Sequence, residues 1–428
     1  MINKLLELKS YNAIEDVVNN ITLKDGQCVD VLKMLYRKKS ILNYDTGMGK
    51  TCLACACIRL LLNEDSTRHF IFLGTNRQLA QTPRELKEYL GMDIAICSGD
   101  AKSISINLLS ENYKKYSVLF ITHEVLLSQV AVRHLAANIN FFNCVIIDEA
   151  HRLNNNTSSL GANVLAAMCK NMEYAFALTA TPITTSAAQL IRLVSMLDPV
   201  TYPNPNKLLN NINKGRFSFP LDDPCMLIAK TRNDFGVQQK ISGQVLLVPA
   251  MEHQKNVRQC DVVRTCKGPG AINQAEALVA FIKERKGQRG LIYINEHATR
   301  NWVLPFLDNA GIAYACINGH VSNAETADIQ YDFNHSDKYQ VLILSVTESL
   351  SLDCDWVLFY EFTVKVQQML GRAYRGFASK ELPVTFMITQ DTNEPETFLR
   401  NIYSRAVFIQ RLLGREYTAV IEAANELT

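Results

Sequence analysis

The stretch that most narrows what this chain can fold into is residues 40–57, S-I-L-N-Y-D-T-G-M-G-K-T-C-L-A-C-A-C. The apolar run at 40–43 suits a buried strand, 45–49 is a glycine-containing turn, and the Ala, Leu and Cys that follow suit a helix. A strand that enters a helix through such a turn reads as a phosphate loop. Gly47 and Gly49 let the backbone turn its amides inward, and the helix N-terminus adds partial positive charge. Lys50 and Thr51 then supply an ammonium and a magnesium-facing hydroxyl. Tyr44 stands where the strict pattern G-x-x-x-x-G-K-[ST] has its first glycine, so the partner motifs must decide.

At 428 residues the chain exceeds the size at which one core stops growing, and two domains are expected. Lys and Arg number 44 against 42 Asp and Glu, a balance of +2, so no whole-chain field advertises a polyanion and nucleic acid would need a local groove. Twelve cysteines raise the question of disulfides or zinc. Cys52-x-x-Cys55 lacks a second pair to complete a tetrahedral site, and Cys97, Cys144 and Cys316 fall in apolar strand-like runs, which reads as buried free thiols of a reducing compartment. No stretch near Met1 has a signal-peptide pattern and no apolar run reaches membrane-spanning length, so an intracellular chain without membrane contact is expected.

Along the chain, helical patterns over 1–20 and 29–36 precede the loop. After it come strands at 69–73, 93–97, 117–122, 144–147 and 175–178, with helices at 78–90 and 125–138. The Asn- and Pro-rich stretch 198–224 reads as an irregular loop or short helices, and a strand at 244–248, a charged helix near 252–263 and the breaker Lys267-Gly-Pro-Gly270 follow. The alternation then restarts: helices at 274–285, 298–309, 324–333 and 364–374, strands at 290–295, 313–317, 340–345, 356–360 and 384–389. Apolar strands separated by helices predict mainly parallel sheets flanked by helices, twice over. The expected division is a first domain over 1–245, a linker over 246–270 and a second domain over 271–428.

In such sheets, ligands collect at the carboxyl ends of strands. Four polar tips qualify in the first half: Gly74-Thr75-Asn76-Arg77, Thr122-His123-Glu124, Asp148-Glu149-Ala150-His151 and Thr179-Ala180-Thr181-Pro182. The run Val145-Ile-Ile delivers two adjacent carboxylates, suited to holding a magnesium ion (Asp148) and to orienting and deprotonating a water (Glu149). His151 either bonds across to the next tip or starts a helix. In the second half, Gln368-x-x-Gly371-Arg372-x-x-Arg375 places two guanidiniums three residues apart on one helical face: a grip for a γ-phosphate, or a solvated basic face.

Leu23-Lys-x-x-Gln27, D-T-G-M-G-K-T, D-E-A-H, T-A-T-P and Q-x-x-G-R-x-x-R, in that order, resemble the helicase superfamily 2 motor, two tandem RecA-like domains with ATP between them. Cys225-Met-Leu-Ile-Ala-Lys-Thr-Arg-Asn-Asp234 and Gln244-Val-Leu-Leu-Val-Pro are similar to segments of its SNF2-like branch. The compact size resembles phage branch-migration helicases of the same superfamily. The resemblance implies ATP and Mg2+ as cofactors and an ATP-dependent DNA translocase or helicase that remodels branched or duplex DNA. An RNA-stimulated ATPase and a nucleotide-gated scaffold are the other readings left open. It implies that Gln27 reads adenine, although a polar residue starting a helix accounts for it equally, and that Gly47, Gly49, Lys50, Thr51, Asp148 and Gln368 hold the nucleotide and its metal. Lys50, Glu149, Arg372 and Arg375 then act in hydrolysis, and His151, Thr179 and Thr181 couple it to movement. Thr75, Asn76, Thr122, Asn295, Gly319 and Thr347 would contact a nucleic-acid backbone, of DNA or RNA, with the chain acting as a monomer. Motif V departs from the family: Glu348-Ser-Leu-Ser-Leu-Asp353 stands where glycines are usual.

Overall fold

A computed structural model describes the chain except residues 1–20, 25, 80, 156–159, 184–185, 215–222, 237–239, 256–261, 346–349, 351, 364–365, 374–380 and 414–416. The helix expected over 1–20 therefore lies outside the described residues. Two compact units result, Met1–Gly236 and Val237–Thr428.

The first unit is built on seven strands: β1 (Lys39–Tyr44), β2 (Phe70–Gly74), β3 (Ala95–Cys97), β4 (Val118–Thr122), β5 (Cys144–Ile147), β6 (Tyr174–Leu178) and β7 (Leu227–Lys230). They lie in the order β3-β4-β2-β5-β6-β1-β7, and every pairing is parallel. The sequences of β2, β4 and β5 (FIFLG, VLFIT, CVII) show no alternation, and every residue in them is buried. A parallel sheet demands this, because its crossovers cover both faces. The helix Lys50–Glu64 behind the glycine turn is buried along most of its length, from Cys52 to Leu62, which explains its run of small and thiol side chains. Helices at Ala101–Leu109, Leu160–Asn171 and Ala187–Leu197 supply further crossovers.

The helix expected over 125–138 is shorter. A 3-10 turn at His123–Leu127 gives way to a helix only at Gln129–Ala137, because the Ser128 hydroxyl accepts from the Ala131 N–H at 3.2 Å and starts it there.

The second unit has six strands, β8 (Lys240–Val248), β9 (Gly290–Tyr293), β10 (Tyr314–Ile317), β11 (Val341–Leu344), β12 (Trp356–Phe359) and β13 (Glu381–Thr389), in the order β10-β11-β9-β12-β13-β8. All its pairings are parallel too, and β8 runs beside β13 from Lys240↔Glu381 to Val248↔Thr389. The contact boundary at Gly236 thus falls before β8, ahead of the residue 245 expected from sequence. Part of the expected linker is core. The helix Val262–Lys267 ends with Lys267 wholly buried, its Nζ donating to Gln274 Oε1 (2.9 Å) and the Met387 carbonyl (2.6 Å), 3.4 Å from Glu394 Oε1. Burial pushes that ammonium down from its usual range while Glu394 pushes it up.

The outer edge of β8 is sealed by the helix Thr418–Asn425. Glu422 accepts from the Gly243 N–H and Glu426, just past the helix, from the Val245 N–H, each at 2.6 Å. Gly243 is required there: a Cβ would sit 1.8 Å from the Ala419 carbonyl. Among the described residues no helix is long and apolar enough to cross a membrane, and eleven described cysteines are free, nine of them buried.

Candidate nucleotide site of the first unit

β1 carries the glycine turn to its carboxyl end, where Gly47 (φ 78°) and Gly49 (φ 80°) adopt the left-handed conformation open to glycine. Tyr44, the residue in place of a first glycine, is wholly buried. Its hydroxyl donates to Asp30 Oδ2 at 2.5 Å, and its ring lies 5.5 Å from that of Phe235. It is part of the loop's foundation, leaving the turn to the two glycines.

Lys50 begins the helix and folds back over the turn, its Nζ donating to the carbonyls of Tyr44 (3.1 Å) and Asp45 (3.3 Å). Gln27 is 3 % exposed, and both ends of its carboxamide are engaged: Nε2 donates to the Met48 carbonyl at 3.0 Å, and Oε1 accepts from the Lys24 N–H at 2.7 Å. In this conformation it grips the loop. Across the turn, the Arg232 backbone N–H donates to Asp45 Oδ2 (3.1 Å) and its Nη2 to the Thr46 carbonyl (3.0 Å).

Two strands away from β1, the tip of β5 presents Asp148 and Glu149, with β6 between. Asp148 is 3 % exposed, its Oδ1 accepting from the Glu149 N–H and its Oδ2 from Gln78 Nε2, both at 2.8 Å. Burial first, then the Glu149 charge, pushes its carboxyl up to about 6, with the Lys50 ammonium pulling the other way. Glu149 itself has φ 48°, a left-handed conformation that strains a side-chain-bearing residue. Its Oε2 is 3.3 Å from His151 Nδ1, which is hydrogen-bonded to the Thr179 hydroxyl at 3.1 Å. That hydroxyl also accepts from the Thr181 N–H at 3.1 Å, so the tips of β5 and β6 are joined, as one of the two sequence readings of His151 has it. His123, at the β4 tip, is half-buried, and desolvation, ahead of the Arg152 charge, pushes it down to about 4.

Gln78 and Arg232 were not singled out by sequence. Gln78 had a signal: Thr75-x-x-Gln78 is a capping-box spacing, and its Oε1 accepts from the Thr75 N–H (2.8 Å) while its other end holds Asp148. Arg232 lies in the run Cys225–Asp234 noted for its likeness to the SNF2-like branch, but nothing in that run announces its partner, since it lies 187 residues from Asp45.

Among the residues expected to meet nucleic acid, Thr75 (3 % exposed) and Thr122 (0 %) are buried, so neither hydroxyl lies on the surface of this unit, whereas Asn76 does. In the second unit Asn295 and Gly319 are exposed, and the Asn295 N–H donates to the buried Glu361 (2.7 Å). Gln368 and Arg372 lie on the helix Val366–Ala373. Their side chains, and all of Thr347 and Arg375, lie outside the described residues.

A glycine turn on one parallel strand, an acidic pair two strands over, and a threonine tip between them stand together at the carboxyl ends of one parallel sheet, where α/β proteins gather ligands. The comparisons narrow this. Residues 6–184 match the family described as type III restriction enzyme, res subunit. Curated relatives include Protein CHROMATIN REMODELING 5 of Arabidopsis thaliana, 28% identical over 181 residues, covering 40% of this chain and 10% of that protein. Chromodomain-helicase-DNA-binding protein 8 of Homo sapiens is 26% identical over 220 residues (47% and 8%). Endoribonuclease Dicer homolog 3b of Oryza sativa subsp. japonica is 25% identical over 185 residues (40% and 11%). The chain thus aligns with only about a tenth of the length of each of these relatives. A solved structure, the Sulfolobus solfataricus SWI2/SNF2 ATPase core in complex with dsDNA, aligns over 95% of this chain and 96% of its own at 16% identity and TM-score 0.44. Residues 6–184 are thus similar to a restriction-enzyme subunit family, and parts of the chain are similar to proteins named for chromatin remodelling and helicase activity.

Proposed function

We propose that this chain is an ATP-dependent DNA translocase or helicase that couples hydrolysis at the first unit's glycine loop to remodelling of branched or duplex DNA. The observation that carries the reading is that the glycine turn leading into Lys50 follows β1 while Asp148 and Glu149 follow β5, two strands over in the same parallel sheet, so both stand at its carboxyl ends. In the proposed reaction, the loop amides and Lys50 bind the phosphates, Glu149 orients a water and accepts its proton at the carboxylate, and His151 passes the state of that carboxylate to Thr179 and Thr181. Thr51 and Asp148 fit a Mg2+ ion: a desolvated carboxylate beside a second one is a place where added positive charge is favourable. That ion would neutralise charge on the phosphates.

Arg372 and Arg375 take the arginine-finger role from the second unit, with Gln368 beside them, and Asn76, Asn295 and Gly319 the backbone contacts. We further read D-E-A-H as the box found in related helicases, and the two-unit plan as akin to phage branch-migration helicases, in recombination, replication or repair. DNA is favoured by the chromodomain-helicase relative, whose name includes DNA binding. An RNA-stimulated ATPase is the second reading, supported by the Dicer homologue.

ATP hydrolysis measured with single-stranded, duplex, forked and four-way DNA, and with RNA of matched length, tests all of this. Stimulation greatest with branched DNA is expected. Stimulation by RNA alone would transfer the assignment to the second reading, and no stimulation by either polymer would overturn both.

A further inference from the structure

The glycine turn is held from outside by two side chains that approach alternate peptide units. Arg232 Nη2 donates to the Thr46 carbonyl at 3.0 Å, and Gln27 Nε2 donates to the Met48 carbonyl at 3.0 Å. In a trans peptide the carbonyl of one residue and the N–H of the next point in opposite directions. A donor fixed on Thr46 O therefore aims the Gly47 N–H away from Arg232, and a donor fixed on Met48 O aims the Gly49 N–H away from Gln27. Those are the two amides that an anion-binding turn needs.

Arg232 is itself rigidly placed. β7 pairs with β1 through Tyr44↔Lys230, the Asp45 N–H donates to the Lys230 carbonyl (3.3 Å), and the Arg232 N–H returns a bond to Asp45 Oδ2 (3.1 Å). Phe235 packs against Tyr44 one turn further on. Arg232 as a whole is 4 % exposed, and a Cβ on Gly47 would lie 3.8 Å from Nη2. A long cationic side chain buried against the back of a loop has a high ordering and desolvation cost, which a packing role alone would not require.

We propose that Arg232 is a positioning residue of the nucleotide site: with Gln27 it forms a two-point clamp that sets the Thr46–Gly47 and Met48–Gly49 peptide planes before the phosphates arrive. The proposal rests on the reading of this loop as the ATP site. Without the clamp the turn populates other peptide orientations, and apparent affinity falls by the fraction that remains competent. Bound phosphates then reorder the loop, so the chemical step changes little.

The test uses the full chain with MgATP and a fluorescent ADP analogue. Arg232→Ala should raise both the KM for ATP and the Kd of the analogue about tenfold, with kcat at saturating ATP within about threefold of the unaltered protein. Arg232→Lys should recover most of the affinity, since an ammonium still reaches one carbonyl. Arg232→Gln, which keeps a shorter donor, stands in if the alanine variant does not fold. Unchanged KM and Kd in a folded Ala or Gln variant would overturn the clamp while leaving the ATP site intact. A loss confined to kcat would also overturn it, because the guanidinium would then be meeting the reacting phosphate. Failure of the unaltered protein to bind either nucleotide would overturn the clamp and the ATP reading together.

Discussion

Glu149 combines three costs at one residue: a left-handed backbone, a close imidazole and a neighbouring carboxylate that it destabilises. Asp148 is held near 6 against an ordinary 3.8, so the folded state binds its proton more tightly than the unfolded chain does. The stability this contributes is fully present below about pH 3.8 and is lost as pH rises through about 6. Glu149→Gln removes the second cause of the shift and leaves the first, burial. The variant should retain ATP binding, lose turnover by about a hundredfold or more, and show a shallower fall in stability between pH 4 and 6. Parallel thermal melts across pH, with single-turnover hydrolysis, check both halves, and unchanged turnover would remove Glu149 from the base role. At this scale the sequence was legible where position follows the chain: Asp148, Glu149 and the His151–Thr179 bond lie just past strands that an apolar run announces, and Lys50 begins the helix that follows another. It was silent on two partners: that of Arg232, set by a strand pairing across 187 residues, and the Met48 carbonyl that the Gln27 carboxamide meets.

Elements were readable in proportion to how completely they are buried. Strands such as β2, β4 and β5 are unbroken apolar runs, and their expected ranges agree with the structure to within a residue. The helices Ala101–Leu109, Leu160–Asn171 and Ala187–Leu197 were not anticipated, the first two lying in stretches mixed with Ser and Asn. β8 was read at its apolar end, 244–248, but its first residues, Lys240-Ile-Ser-Gly, carry no strand signature. They pair because β13 offers a full-length neighbour, and Gly243 is there because the Ala419 carbonyl leaves no room for a Cβ. Gly243→Ala should therefore destabilise the chain by about 2–3 kcal/mol, more than an exposed strand Gly→Ala change. Urea unfolding reads it; a change under ~0.5 kcal/mol would mean that the helix Thr418–Asn425 does not hold this contact in solution.

At the scale of the whole molecule, the twofold repetition of a parallel α/β plan was visible in the alternation, and the near-balanced charge of +2 was compatible with a chain that meets polyanions only locally. The exact division was not visible, because Lys267-Gly-Pro-Gly270 has the composition of a linker while Lys267 is bonded inside a core. Residues 1–236 alone should fold and bind ATP within about threefold of the full chain's affinity, since every described contact to the glycine turn lies inside that unit. Nucleic-acid-stimulated hydrolysis should be absent from that fragment, since the proposed Arg372 and Arg375 are missing. Fluorescent nucleotide titration and a phosphate-release assay would decide it, and stimulated turnover by the fragment would count against the two arginines.

The seal on β8 has a consequence for how copies of this molecule can associate. An open strand offers its outward N–H groups as a template on which another chain can continue the sheet. Here Glu422 and Glu426 occupy the outward amides of Gly243 and Val245 with carboxylates. A second molecule approaching this edge finds two of its donors already taken and two carboxylates in the way, so side-by-side growth of the sheet is hindered along a nine-residue edge strand.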